Sequence, residues 1–446
     1  MNKYVWNIAL FLIPIAVITA MNLFDSENES VSVLEQRDIR TMPSLTLDGL
    51  VDGTFTNQFD NYYADHFIMR ESMVETGNEI KSLRGWRSSD GVALVVQEGG
   101  NNMSENLGGQ SIEEPQAEAA MAQPAEQAAE TEGDAVALAQ QEEAGQGVVK
   151  TEKTTYLVIK DRAMLLYRYS EAAATDYAST LNRLRSALDP KVRLYSLLVP
   201  SQVEFIEEEK YRKLNDSQKE AFESVYAGTD EGIVPVPAYA NIEAHKSEYL
   251  YYRSDHHWTS LGAYYAYEAF IKSTGAEPLS LASYKKREIK DFLGTAYAAT
   301  LNPAMKKNPD TITTYEPNVK YTFNVYRTAT PKSRKLVEAA IPTDGRGGYA
   351  VFLGGDFSLG RISTDVKNSK RLLVVKDSYA NAIIPFLLPH YAEINIVDPR
   401  YYKDDLLKLV KDHKVTDVLV ENSPIVTTYN SLAKMIDGIV KVPATK

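Results

Sequence analysis

Two short stretches carry side chains whose types and spacing permit chemistry: Asp255-His256-His257-Trp258 and Lys376-Asp377-Ser378. A serine hydroxyl is a weak nucleophile until a base takes its proton, and histidine is the usual base. The base in turn needs a carboxylate to fix its tautomer and stabilise the imidazolium. In extended backbone, residues two apart share a face. Asp255 is therefore expected to reach Nδ1 of His257 and leave Nε2 for a serine, with His256 pointing the other way. Ser378 follows the apolar run of residues 371–375 and opens a helical pattern. A serine at such a strand-to-helix turn presents its hydroxyl at the sheet edge, with backbone N–H groups beside it that could serve an oxyanion.

Each stretch has other readings. Asp and Ser are preferred helix N-caps, so "strand, Asp-Ser, helix" also occurs without chemistry. An Asp and two His are plausible zinc or non-haem iron ligands. Yet adjacent histidines on an extended chain face opposite ways, and His66, His245, His390 and His413 show no ligand spacing. A purely structural loop, with Asp255 as a cap and Trp258 in the core, is the third reading.

The elements that must position these groups follow from periodicity. Helical spacing covers residues 170–188, 217–226 and 260–270, and apolar strand patterns cover 192–200, 371–377, 393–398 and 416–422. Helical patterns at 378–391, 404–414 and 429–440 alternate with the last three strands. Buried strands alternating with helices predict a doubly wound, mostly parallel α/β sheet. Ligands in such folds collect at the carboxyl ends of strands, which is where Ser378 falls. Residues 296–350, rich in Thr, Tyr and Val with frequent turns, read as a β-rich antiparallel excursion.

The rest of the chain divides by composition. Residues 1–24 carry one base, Lys3, before an apolar run of about the 20 residues that span a bilayer. Acids follow at Asp25, Glu27 and Glu29, so the positive-inside rule places everything after the run outside the cytoplasm. No clear small-x-small cleavage site ends the run, and an uncleaved anchor is the preferred reading over a signal peptide. Residues 25–97 read as a helical lead-in and a first strand. Residues 98–150 hold eleven acids, one base and no aromatic residue. Such a segment cannot bury enough apolar surface to offset its ordering entropy and is expected to be a disordered acidic insertion. It accounts for most of the chain's net charge of −12, so the globular part, residues 151–446 with the lead-in, is close to neutral. The absence of any basic stripe argues against nucleic-acid binding. With no cysteine among 446 residues, thiol catalysis, disulfides and thiolate metal sites are excluded.

Residues 254–270, "SDHHWTSLGAYYAYEAF", and 372–402, "LLVVKDSYANAIIPFLLPHYAEINIVDPRYY", together resemble the bacterial DHHW protein family. That family is similar to the SGNH-hydrolase-like domains of the alginate O-acetylation proteins AlgJ and AlgX. "FDNYYADHFIMRE", "FLGTAYAA" and "FLGGDFSLGRI" extend the resemblance over most of the chain outside the insertion. It implies an SGNH-like fold with permuted motif order, since Asp255 and His257 precede the serine by about 120 residues. It implies Ser378 as the nucleophile of an acyl-enzyme, His257 as base and Asp255 as its orienting acid, with no cofactor and no metal. The acetyl group would come from a membrane-bound O-acyltransferase and pass to a sugar hydroxyl of an exopolysaccharide or cell-wall polymer. Tyr379, Asn381 and Arg400 occupy matching positions as oxyanion donors, packing residues or glycan contacts, and the Gly354 and Gly355 amides are further oxyanion candidates. Two departures stand out: Lys376 where a glycine is expected, and Asp356 where a polar amide is expected. A carbohydrate acetylesterase and a non-catalytic glycan-binding scaffold of the cell envelope are the competing functions.

Overall fold

In the computed structural model the described residues are 37–70, 153–326, 330–343 and 347–441. Short pieces at 10, 12–13, 17, 31–32, 72–74, 76–77 and 92–98 join them. The expected anchor and acidic insertion fall almost wholly outside these residues. Among the described residues no helix is long and apolar enough to cross a membrane.

The apolar runs form one sheet of eight strands. Their order is Lys332–Ser333, Tyr321–Tyr326, Leu359–Thr364, Glu393–Val397, Arg371–Lys376, Asp417–Asn422, Arg193–Leu198 and Ile233–Pro235. The five from Glu393–Val397 onward run parallel, and the others pair antiparallel. Alternating side chains of Arg371–Lys376 enter two different cores. Leu372 and Val374 pack with Trp258, Tyr267, Phe270 and Phe386, whereas Leu373 and Val375 pack with Tyr177, Leu181, Val225 and Ile436. Both faces are thus covered, as a buried parallel sheet requires. This is the mixed α/β fold with a large, mostly parallel sheet that the alternation predicts.

The connections explain why Ser378 falls at a topological switch point. From Lys376 the chain returns to the sheet at Glu393–Val397 on one side of Arg371–Lys376, and next at Asp417–Asn422 on the other. Chain leaving one central strand end toward both sides makes the kind of switch point at which α/β proteins place their ligands.

Two expectations change. The pattern at 378–391 is not one helix but a 3₁₀ turn (Ser378–Ala382), one α turn (Ile384–Leu387) and another 3₁₀ turn (Leu388–His390). Pro385 and Pro389 lack the N–H that a continuous helix needs. The excursion at 296–350 is also less separate than expected. Thr295–Thr300 and Pro303–Lys307 are helical, and Asp310–Glu316 pairs with Lys285–Phe292. Tyr321–Tyr326 then joins the main sheet beside Leu359–Thr364.

Candidate active site

Two segments remote in sequence meet above the end of Arg371–Lys376. The first, residues 253–257, is an irregular loop between the helix at Ala238–Ala244 and the helix at Ser260–Ser273. A buried acid fixes it: Asp310 accepts from the Arg253 Nε at 2.9 Å, the Ser254 amide at 2.8 Å and the Ser254 hydroxyl at 2.6 Å. The second is the turn Ser378–Ala382, entered through Asp377, whose carboxylate accepts from the amides of Tyr379 (3.0 Å) and Ser423 (2.7 Å). Asp377 is therefore the cap that the sequence allows, and it ties this turn to the end of the neighbouring strand.

Crossed hydrogen bonds join the two segments. The Trp258 indole donates to the Tyr379 carbonyl at 2.9 Å, and the Tyr379 hydroxyl donates to the His256 carbonyl at 2.5 Å. Between them Ser378, His257 and Asp255 come together. His257 Nε2 lies 2.8 Å from Ser378 Oγ, and His257 Nδ1 lies 2.6 Å from Asp255 Oδ1. All three are buried. Asp255 Oδ1 also accepts from the His257 amide at 2.9 Å, and Oδ2 accepts from the Thr295 amide at 2.9 Å and hydroxyl at 3.2 Å. Burial alone would raise the Asp255 pKa. The charge and hydrogen bond of His257, with His256 and the Thr295 amide, outweigh it and hold the carboxyl below its ordinary value. An ionised Asp255 accepts the Nδ1 proton, which leaves the Nε2 lone pair for the serine hydroxyl.

The expected means of pairing Asp255 with His257 is corrected. The backbone is not extended here, and the shared carboxylate bond to the His257 amide is an Asx-type turn. His256 accordingly does not point away: its ring lies 3.9 Å from that of His257. Thr295 Oγ1, which gives its proton to Asp255, accepts from His256 Nδ1 at 2.6 Å. Tyr349 covers the other face of His257, its ring parallel within 3° at 3.8 Å. The imidazole is held between two rings and cannot swing from the serine.

Thr295, Gly294 and Tyr349 are site residues that spacing did not identify, because each arrives from a distant part of the chain. The signal for the first two was the "FLGTAYAA" motif. Gly294 is needed for close approach, since a Cβ there would lie 2.2 Å from Asp255 Oδ2.

Other expected site residues are placed differently from their expected roles. The single backbone donor of Gly355 goes to the Phe352 carbonyl at 3.1 Å, and the Tyr379 amide and hydroxyl are both used as described. Neither is an oxyanion donor in this arrangement. Gly354 and Gly355 have φ of 71° and 88°, so they build a left-handed turn, and the Gly354 carbonyl accepts from Arg334 at 2.5 Å. The turn delivers Asp356 to a buried ion cluster. Lys376 donates to Asp356 at 2.8 Å and Asp398 at 3.4 Å; Arg400 Nη2 donates to the same pair at 2.7 and 2.6 Å; the Asn381 amide donates to Asp356 at 3.1 Å. Burial works against the Asp356 charge, but Lys376 and Arg400 hold its pKa below the ordinary value. The two departures from family pattern, Lys376 and Asp356, are thus partners. Arg400 is committed to this cluster rather than to solvent.

Asp255, His256 and His257 also bring one ligand atom each within 4.8 Å of one another. Both His257 nitrogens are already bonded, to Asp255 and to Ser378, and Asp255 accepts four donors. A metal would have to break one of these bonds, so the donor set fits a serine site better.

The sequence matches the DHHW protein family over residues 35–397. A crystal structure of a DHHW family protein from Eubacterium siraeum is 33% identical, with a TM-score of 0.58 over 64% of this chain and 94% of that one. Bacillus cereus PatB1, solved with a sulfonyl adduct, is 18% identical, with a TM-score of 0.52 over 63% of this chain and 97% of its own. The O-acetyltransferase domain of Pseudomonas putida AlgJ is 14% identical, with a TM-score of 0.35 over 63% and 96% of the two chains. No curated protein matches. With the matched residues spanning the lead-in, the His257 loop and the Ser378 turn, the chain belongs to the DHHW protein family.

Proposed function

We propose that this chain is an extracytoplasmic O-acetyltransferase that carries acetyl on Ser378 and delivers it to a polysaccharide hydroxyl. One observation carries the reading: Ser378 Oγ, His257 and Asp255 form a continuous buried chain with links of 2.8 and 2.6 Å. His257 Nε2 takes the Ser378 proton as Oγ attacks the acetyl carbonyl of a donor. The tetrahedral intermediate collapses, and the departing donor group takes that proton from His257. His257 then deprotonates a sugar hydroxyl, which attacks the acetyl-serine; Ser378 leaves and recovers the proton. Asp255 stays ionised throughout and stabilises the imidazolium.

The resemblance of residues 254–270 and 372–402 to the alginate O-acetylation proteins motivates the acetyl group and the polysaccharide acceptor. The apolar run in residues 1–24 supports a single-pass membrane anchor with the domain outside, facing a membrane-bound O-acyltransferase as acetyl source. An esterase uses the same triad with water as acceptor, and that is the second reading. Turnover of a chromogenic acetyl ester, with and without an oligosaccharide, separates them. Acetylated oligosaccharide found by mass spectrometry supports transfer; free acetate alone supports hydrolysis. No turnover together with measurable glycan binding would instead indicate a scaffold. Loss of turnover to a chelator, with recovery on adding zinc, would favour a metal at Asp255, His256 and His257.

A further inference from the structure

Glu421 is a buried ionisable group that the proposed mechanism does not use. It lies on Asp417–Asn422 directly opposite Lys376 in the parallel register, two residues before the serine on the neighbouring strand. It is fully buried, and neither carboxyl oxygen has a hydrogen-bond partner. On its other side the register partner is apolar Leu197. Isolated carboxylate in such a place is among the most costly groups to bury.

The nearby cations do not compensate it. Lys376 and Arg400 are shared between Asp356 and Asp398, two positive charges against two negative, so the cluster is neutral without Glu421. Asp377, which accepts amides on both oxygens, adds a further negative group nearby. The ionisable groups electrostatically coupled to Glu421 are Lys376 on the adjacent strand, Asp377 and Tyr379 on the serine turn, and Tyr349 and Tyr177 from the two sides of the sheet. Lys376 alone among them carries positive charge.

We propose that Glu421 carries its proton at neutral pH and acts as an uncharged positioning residue beneath the Ser378 turn. Burial and the charge of Asp377 raise its pKa well above the usual range, against weaker opposing effects of Lys376 and the Ala380 amide. That amide belongs to the turn and lies near the carboxyl without completing a hydrogen bond to it, so the carboxyl is close to the backbone that carries the serine. An ionised Glu421 would set a negative charge beside the oxyanion that forms when Ser378 attacks, in a medium where charges interact strongly. The protonated form removes that opposition and keeps a polar group under the turn.

This rests on Ser378 being the nucleophile, and the test keeps the two claims apart. Infrared difference spectra of the full chain, wild type minus E421Q, are recorded in D₂O at neutral pH. Labelling of Ser378 by a sulfonyl fluoride is timed for wild type, E421Q and E421L, with circular dichroism to confirm folding. The expected results are a protonated-carboxyl C=O band that E421Q lacks, E421Q labelling within about threefold of wild type, and E421L labelling at least about tenfold slower. A carboxylate signature in place of that band, a folded E421Q that labels about tenfold or more slowly, or E421L at the wild-type rate overturns the assignment. If E421L does not fold, the band and the E421Q rate still decide. A wild type that never labels refutes the serine reading, and the infrared band still judges the proton.

Discussion

Two buried polar clusters flank the end of Arg371–Lys376, and they are wired in opposite ways. The Asp255–His257–Ser378 cluster is a directed chain: each donor passes to the next acceptor and the chain runs to a hydroxyl. The Lys376–Asp356–Arg400–Asp398 cluster is a closed ring in which each carboxylate meets two cations. A directed chain can move a proton and recover it. A closed ring of matched charges has nothing to give up without leaving a buried charge unpaired. The difference separates residues that perform chemistry from residues that hold the strand end still, although both sets are charged, buried and close to Ser378.

The largest expected effect breaks the chain. S378A or H257A should lower ester turnover by at least about 1,000-fold while leaving the melting temperature nearly unchanged. A variant of either kind that keeps full turnover breaks the comparison. Opening the ring should do the reverse. D356A leaves Lys376 and Arg400 short of one counter-charge and should cost about 3–5 kcal/mol of stability, read by urea unfolding. The fraction that remains folded should still label at Ser378. If D356A instead folds normally and loses all activity, the ring belongs to the chemistry.

A third change sharpens the chain's need for exact support. G294A forces a methyl against Asp255 Oδ2, at 2.2 Å without movement, so the carboxylate must shift. Turnover is expected to fall about 10–100-fold, as sub-ångström misplacement of a catalytic group can do. T295S should be milder, because it keeps both donors to Asp255.

The smallest effect lies away from both clusters. His390 accepts from the Tyr267 hydroxyl at 2.7 Å; burial, helped by Lys370, pushes its pKa down to about 4 from 6.5. Between those values the unfolded chain binds the proton more readily, so stability is intact above 6.5 and is lost as pH falls toward 4. Allowing for partial exposure, the loss should be about 1–2 kcal/mol. Urea unfolding at neutral and acid pH should show a smaller loss in H390Q, which cannot take the proton.

Much of this was legible from particular residues. The apolar runs before Lys376 and Asn422 announced parallel strands, and Ser378 after the first of them marked a strand-end site. Asp255 and His257 were paired from their spacing, yet the backbone that pairs them is a turn, and so His256 was placed on the wrong side. Pro385 and Pro389 stand in the sequence inside the helical pattern at 378–391, and they are where the helix breaks into turns. The parts that could not be read depend on contacts across the chain. Thr295 lies 40 residues from the aspartate it supports, and Tyr379 and Gly355 look like donors until their hydrogen bonds are traced. Lys376 and Asp356 each broke a family pattern alone, and only their pairing at 2.8 Å explains both.

The central claim is that Ser378 carries acyl. The direct measurement is peptide mass mapping of the protein quenched after brief exposure to an activated acetyl ester. One acetyl group on Ser378 in the wild type, absent from S378A and strongly reduced in H257A, is the predicted result. An unmodified Ser378 in a protein that still turns over the ester would contradict it.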